Sequence, residues 1–178
     1  MDKEVVGKRS SGIASHIYPK RLPQMKAGPI TDEMGFTLSE RLALRQAWNL
    51  IRPFERRYGG DIFYGFLNDV YWGINKFKDN GKLNMKALHT HALRFFHFIG
   101  LLIEEKDPVV FQLMINENNL THSRCKVGSD YIVNLADALV DYVLQVFHEI
   151  SSPTLERGFR KIVEKLMSST DQQPINTS

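Results

Sequence analysis

One cysteine in 178 residues, Cys125, excludes an internal disulfide and any multi-thiolate metal site, and is the usage expected of a reducing cytosol. Long apolar runs are missing as well. No stretch is long enough to span a bilayer, and the opening MDKEVVGKRSSGIASHIYPKR holds none long enough for a secretory h-region. Asp2 in place of glycine excludes myristoylation, and the two glycosylation sequons at Asn119 and Asn176 then read as chance matches. Blocks of like charge are absent: 23 basic and 20 acidic residues are interspersed along the chain, leaving a net charge of +3. The longest basic cluster, Lys20-Arg21, is too short for a nucleic-acid stripe, so neither nucleic acid nor a membrane is expected as a partner. The chain also lacks a Gly-rich phosphate loop, an HExxH zinc helix, a GxSxG elbow and a paired-carboxylate motif, which argues against a hydrolase and against a conventional enzyme.

What is present is helical periodicity. Neither an alternating strand pattern nor a tandem repeat occurs, so the fold class is all-α. Residues 1–35 and 170–178 carry no sustained period and read as flexible tails around a single domain at 36–169. Within that domain Thr37-Leu38-Ser39-Glu40 has capping-box spacing, and Leu44, Ala47, Trp48 and Ile51 share a face until Pro53. A second helix from Glu55 carries Ile62, Phe63, Phe66, Leu67 and Val70, and holds Gly59 and Gly60 despite their cost in a helix interior, which predicts a close crossing. Residues 71–83 read as a short helical turn followed by a loop, and 84–104 as a long helix. Residues 107–127 read as short or irregular helix, because Val109 to Ile115 give way to the polar run NENNLTHSR. The stretch from Tyr131 to Val146 is strongly amphipathic. Ser152-Pro153 then caps a last helix burying Leu155, Phe159, Ile162, Val163, Leu166 and Met167.

The chemistry-bearing residues are the histidines 16, 89, 91, 97, 122 and 148. On the long helix the stripe is Leu88, His91, Phe95, Ile99 and Leu102, so an imidazole sits inside an apolar face, whereas His89 and His97 turn towards solvent or the flank. Such an imidazole needs a partner when buried. Two fit: a metal or its ligand, or a backbone carbonyl in an ordinary core.

The stretch GGDIFYGFLNDVYWGINKF, Gly59 to Phe77, resembles without a gap the second and third helices of globins, ending at the phenylalanine that stacks on the haem. Fourteen residues later His91-Ala92 resembles the distal histidine and its small neighbour in globins that have a short connection instead of a fourth helix, and Trp48 stands where globins often carry tryptophan. Over residues 37 to 168 the chain is similar to globins, insect globins above all.

The resemblance implies a three-on-three helical sandwich whose fourth helix is short or absent, with Gly59 and Ala92 as the small pair where the second and fifth globin helices cross. It implies haem b (iron protoporphyrin IX) as cofactor, with dioxygen or another diatomic gas as ligand and binding rather than turnover as the primary act. His122 would be the proximal iron ligand, its other ring nitrogen donating to a backbone carbonyl or side chain. His91 would be distal, or the sixth ligand when no gas is bound. Phe63, Phe77, Phe95, Ile99 and Tyr131 would line the cofactor, with Phe63 and Phe95 crowding the ligand side. Arg94 would reach a propionate, or remain a solvated helix charge.

The chain departs from the family at Tyr71, where many globins have proline, and at Asn118, where leucine is usual one turn before the proximal histidine. The interval from His91 to His122 is also a little longer than usual, which leaves His122 open as an exposed loop histidine. Storage, transport, sensing and nitric-oxide turnover all remain open within the haem reading, for a monomer or weak homodimer in the cytoplasm. The alternative from another class is a globin-like helical module that has lost haem and acts in protein interaction or signalling. A third, an oligomeric helical scaffold, would need an exposed apolar stripe, and none can be picked out of the sequence.

Overall fold

The computed structural model describes residues 28–69 and 71–168, and the side chains of residues 68, 69, 71, 72 and 129 lie outside that description. His16, Lys20-Arg21, Val70, the Tyr71 side chain, the Asn176 sequon and most of both expected tails therefore fall outside the described residues. Those described are mostly helical, in the order α1 (Leu38–Ile51), α2 (Glu55–Asp69), α3 (Tyr71–Ile74), α4 (Met85–Glu104), α5 (Pro108–Arg124), α6 (Ser129–Val146) and α7 (Pro153–Ser168). None of these helices is long and apolar enough to cross a membrane.

The capping box at the start of α1 is formed: the Glu40 N–H donates to the Thr37 hydroxyl and the Thr37 N–H to the Glu40 carboxylate. Folded structure begins earlier than residue 36. Asp32 Oδ1 accepts from the N–H groups of Met34 and Phe36, and both of these side chains are buried in the core. A 3₁₀ turn at Arg52–Phe54, with Pro53 inside it, bends the chain into α2.

Close helix crossings explain the glycines. A Cβ built on Gly59 of α2 would stand 3.2 Å from the Phe96 ring and 3.4 Å from the Ala92 carbonyl, so α2 and α4 meet there backbone to backbone. Gly100 on the next turn of α4 lies under the Trp48 indole of α1, which stacks on Phe96 at 5.5 Å between ring centres. Gly158 of α7 is pressed likewise against Leu44. The core is thus a helix-on-helix packing of α1, α2, α4, α6 and α7.

Two elements correct the sequence reading. Residues 108–124 are not irregular but one continuous helix, capped by Asp107, whose carboxylate accepts from the N–H groups of Val109 and Val110, with Pro108 at the first position. His122 accordingly sits in the last turn of a helix and not in a loop. In α7, Met167 is 51% exposed rather than buried, while the other five predicted core residues are buried and Ser152 Oγ caps the helix by accepting from the Leu155 N–H. Between α3 and α4 the expected loop is a 3₁₀ turn at Asn75–Phe77 followed by a tight hairpin, Lys78–Asp79 against Lys82–Leu83. Asn80 and Gly81 both have positive φ, as a two-residue primed turn requires. The Asn84 N–H then donates to the Phe77 carbonyl at 2.7 Å, and Asn84 Oδ1 caps α4 by accepting from the Ala87 N–H. These bonds fix Phe77 beside the first turns of α4.

Candidate functional site

Helices α2, α4, α5 and α6 and the turn around Phe77 enclose a cavity of about 730 Å³. Its walls are Phe63, Phe66 and Leu67 from α2, Phe77 from the turn, His91, Phe95 and Phe98 from α4, Met114, Asn118 and His122 from α5, and Tyr131, Ile132 and Leu135 from α6. Arg94 and Lys76 line it too, with solvent-exposed side chains. A largely apolar hollow of this size, furnished with a few convergent polar groups, has the form of a small-molecule or cofactor site.

The two imidazoles are brought together in the cavity. His91 and His122 lie 5.8 Å apart between ring centres, with 71° between their planes. His91 is boxed by aromatics: the Phe63 and Phe77 rings are each 5.3 Å from it, and they meet each other edge-on at 5.6 Å. Burial, then the neighbouring His122 ring, then the Arg94 charge push His91 down to about 4. The ring is therefore neutral at physiological pH and keeps one nitrogen lone pair. Among the described residues no group hydrogen-bonds either of its nitrogens.

His122 is held differently. Its Nδ1 lies 2.8 Å from the Asn118 carbonyl, which only accepts, so Nδ1–H donates there and Nε2 is the nitrogen left for a ligand. The turn that carries it is locked by a Schellman motif. Val127 N–H donates to the His122 carbonyl and Lys126 N–H to that of Ser123, with Lys126 in the left-handed region at φ 54°. Lys76 closes this corner by donating from Nζ to the Cys125 carbonyl at 3.0 Å.

A metal ion bonded to two facing imidazole nitrogens at about 2.0 Å each holds the ring centres roughly 6 Å apart. The observed separation suits that arrangement, and the second-nitrogen bond to Asn118 is the support a ligating histidine needs. Among the described residues no group of three or more His, Cys, Asp or Glu is placed to hold a metal, so an ion here would rest on these two rings and on donors from elsewhere.

Of the residues expected around a cofactor, Phe63, Phe77, His91, Arg94, Phe95, His122 and Tyr131 all reach the cavity. Ile99 does not. It is 2% exposed and packs in the central core, because α4 has two apolar faces: 88, 92, 96, 99 and 103 towards the core, and 91, 95 and 98 towards the cavity. A single stripe mixed the two. Phe98 stands seven residues after His91 on the same face of α4 and was within reach of its helical spacing. Met114, eight residues before His122, would have followed had α5 been read as a helix, and Asn118 lies one turn before His122 where the sequence marks its departure. His89 and His97 are exposed, as their phase predicted, and His89 meets the Tyr64 hydroxyl at 3.0 Å. No protein-family model matches the chain, and no curated protein matches it in sequence.

Proposed function

We propose that this chain is a haem-binding globin that reversibly binds dioxygen or another diatomic gas, with haem b seated between His91 and His122. The observation that carries the reading is the meeting of two imidazoles, 5.8 Å apart between ring centres, in a largely apolar cavity. The α2–α4 crossing at Gly59 and the hairpin standing in place of a fourth helix support the three-on-three globin arrangement. The single cysteine supports a cytoplasmic setting.

The cofactor, when bound, supplies an iron atom able to take a diatomic ligand. The protein does the rest. His122 offers Nε2 while Asn118 fixes its ring, and Phe63, Phe77 and Phe95 exclude water from the His91 side. Arg94 stands at the cavity with no ion-pair partner among the described residues and is placed to take a propionate. His91 and His122, with ring centres 5.8 Å apart, would both hold the metal, and His91 would have to move aside to admit a gas molecule.

Protein purified from haem-supplied cells is expected to be red with a Soret band, and its deoxy ferrous spectrum six-coordinate and low-spin. His91→Ala should keep haem and turn five-coordinate, whereas His122→Ala should lose haem or grossly change the axial field. Colourless protein under haem supply would sink the reading and leave a helical interaction module.

A further inference from the structure

Helix α5 is apolar on two sides. Phe111, Ile115, Asn118 and His122 face inward, and diametrically opposite them lie Val109, Leu113 and Leu120, which are 65%, 55% and 41% exposed. With Asn116 the outer residues fall at 109, 113, 116 and 120. This four-three-four spacing is that of a coiled-coil seam with one polar position, the place where a single asparagine sets register.

The ends of the helix differ in charge. Glu105 and Asp107 stand at its start with Lys106 between them, Glu104 at the end of α4 being paired with Arg45 and Arg52, and Arg124 and Lys126 stand at its finish. Turned about a two-fold axis level with Met114 and Ile115, the seam maps onto itself. Val109 then lies over Leu120 of the partner subunit and Leu113 over Asn116 of the partner subunit, and Arg124 at the basic end of each helix comes level with Glu105 at the acidic start of the other. We propose that the outer face of α5 is a homodimer interface in which two copies pair antiparallel along this seam. A second copy is the occupant because one self-complementary helix supplies both the apolar row and the opposed charges.

Sedimentation equilibrium of the full chain from about 1 µM to about 1 mM should show a monomer–dimer equilibrium. Leu113→Glu combined with Leu120→Glu should weaken it by roughly 100-fold or more at unchanged helix content. Leu113→Gln alone, a milder change in case the double variant misfolds, should weaken it about 10-fold. Leu42→Glu, which alters an exposed leucine on α1, should leave it unmoved. In a Cys125→Ser background, Asn116→Cys should crosslink to its symmetry mate on oxidation. Val109→Cys should not, since its mate would sit about 16 Å away along the helix axis. A chain monomeric at about 1 mM, a dimer indifferent to both the Leu113 and Leu120 changes, or crosslinking through residue 109 in place of 116 would overturn the proposal.

Discussion

Glu40 is the one charged side chain fully buried among the described residues, 2% exposed, and it joins the two ends of the fold. Its Oε2 accepts from the Thr37 N–H at 2.8 Å and from Lys161 Nζ at 2.7 Å, and Lys161 also donates to the Gly35 carbonyl. Burial pushes this carboxyl up, but the Lys161 hydrogen bond, the Thr37 N–H and the Lys161 charge together outweigh burial and hold it below its ordinary value. A depressed carboxylate contributes stability that is complete above the unfolded pKa and is lost as pH falls through the folded one. Urea denaturation should therefore show wild-type stability falling with acid below about pH 4. Glu40→Gln should cost about 2 kcal/mol at pH 7, because it removes the charge that Lys161 and Arg157 pair with, and should flatten that acid slope. The capping role of Glu40 was legible in Thr37-Leu38-Ser39-Glu40, but its burial was not, since the lysine that neutralises it lies 121 residues along the chain. Lys126 sets a second test at this scale. It occupies the left-handed position of the α5 cap, where a side chain is disfavoured, so Lys126→Gly should raise thermal stability by up to about 1 kcal/mol and keep His122 in place.

The helices differ in how openly their sequences declare them. In α1 and α7 one face is apolar and the caps are explicit, so period and punctuation agree. In α5 the apolar residues fall on opposite sides and cancel as a periodic signal, and the polar run around Asn116 to Asn119 looks like loop although it is helix. The failure was one of symmetry rather than of propensity. The same cause blurred α4, where two buried faces merged into one stripe and drew Ile99 into the wrong group. Glycines inside helices make the competing effects measurable. Gly65 of α2 has nothing within 4 Å of a built Cβ, so Gly65→Ala should stabilise by about 0.5–1 kcal/mol through helix propensity. Gly100 has the Trp48 indole there instead, with Cε2 at 3.0 Å. Gly100→Ala should therefore destabilise by about 1–3 kcal/mol despite the same gain in propensity, as read by paired thermal melts. Equal signs for the two would mean that the α1–α4 crossing yields more easily than its packing implies.

Over the molecule as a whole, one wall of the cavity is anchored less firmly than the others. α2, α4 and α6 each pack into the central core, whereas α5 buries only Phe111 and Ile115 fully and approaches α6 most closely. A group that fills the cavity adds the contacts α5 lacks. Haem at a thousand-fold excess over its dissociation constant should therefore stabilise the fold by about 4 kcal/mol, with amide exchange slowed most in residues 108–124. His122→Ala should remove most of that gain, and an unchanged melting temperature on haem addition would count against the site. The architecture of α1 and α7 was readable from sequence because each answers to a single buried neighbour set. The exposed seam was not, because exposure is a property of the assembled fold. Helix α5 walls the cavity with one face and presents an apolar row with the other, so both faces belong to one rigid element. Thermodynamic reciprocity then requires that whatever occupancy does to the affinity of the outer face, covering that face does by the same factor to occupancy.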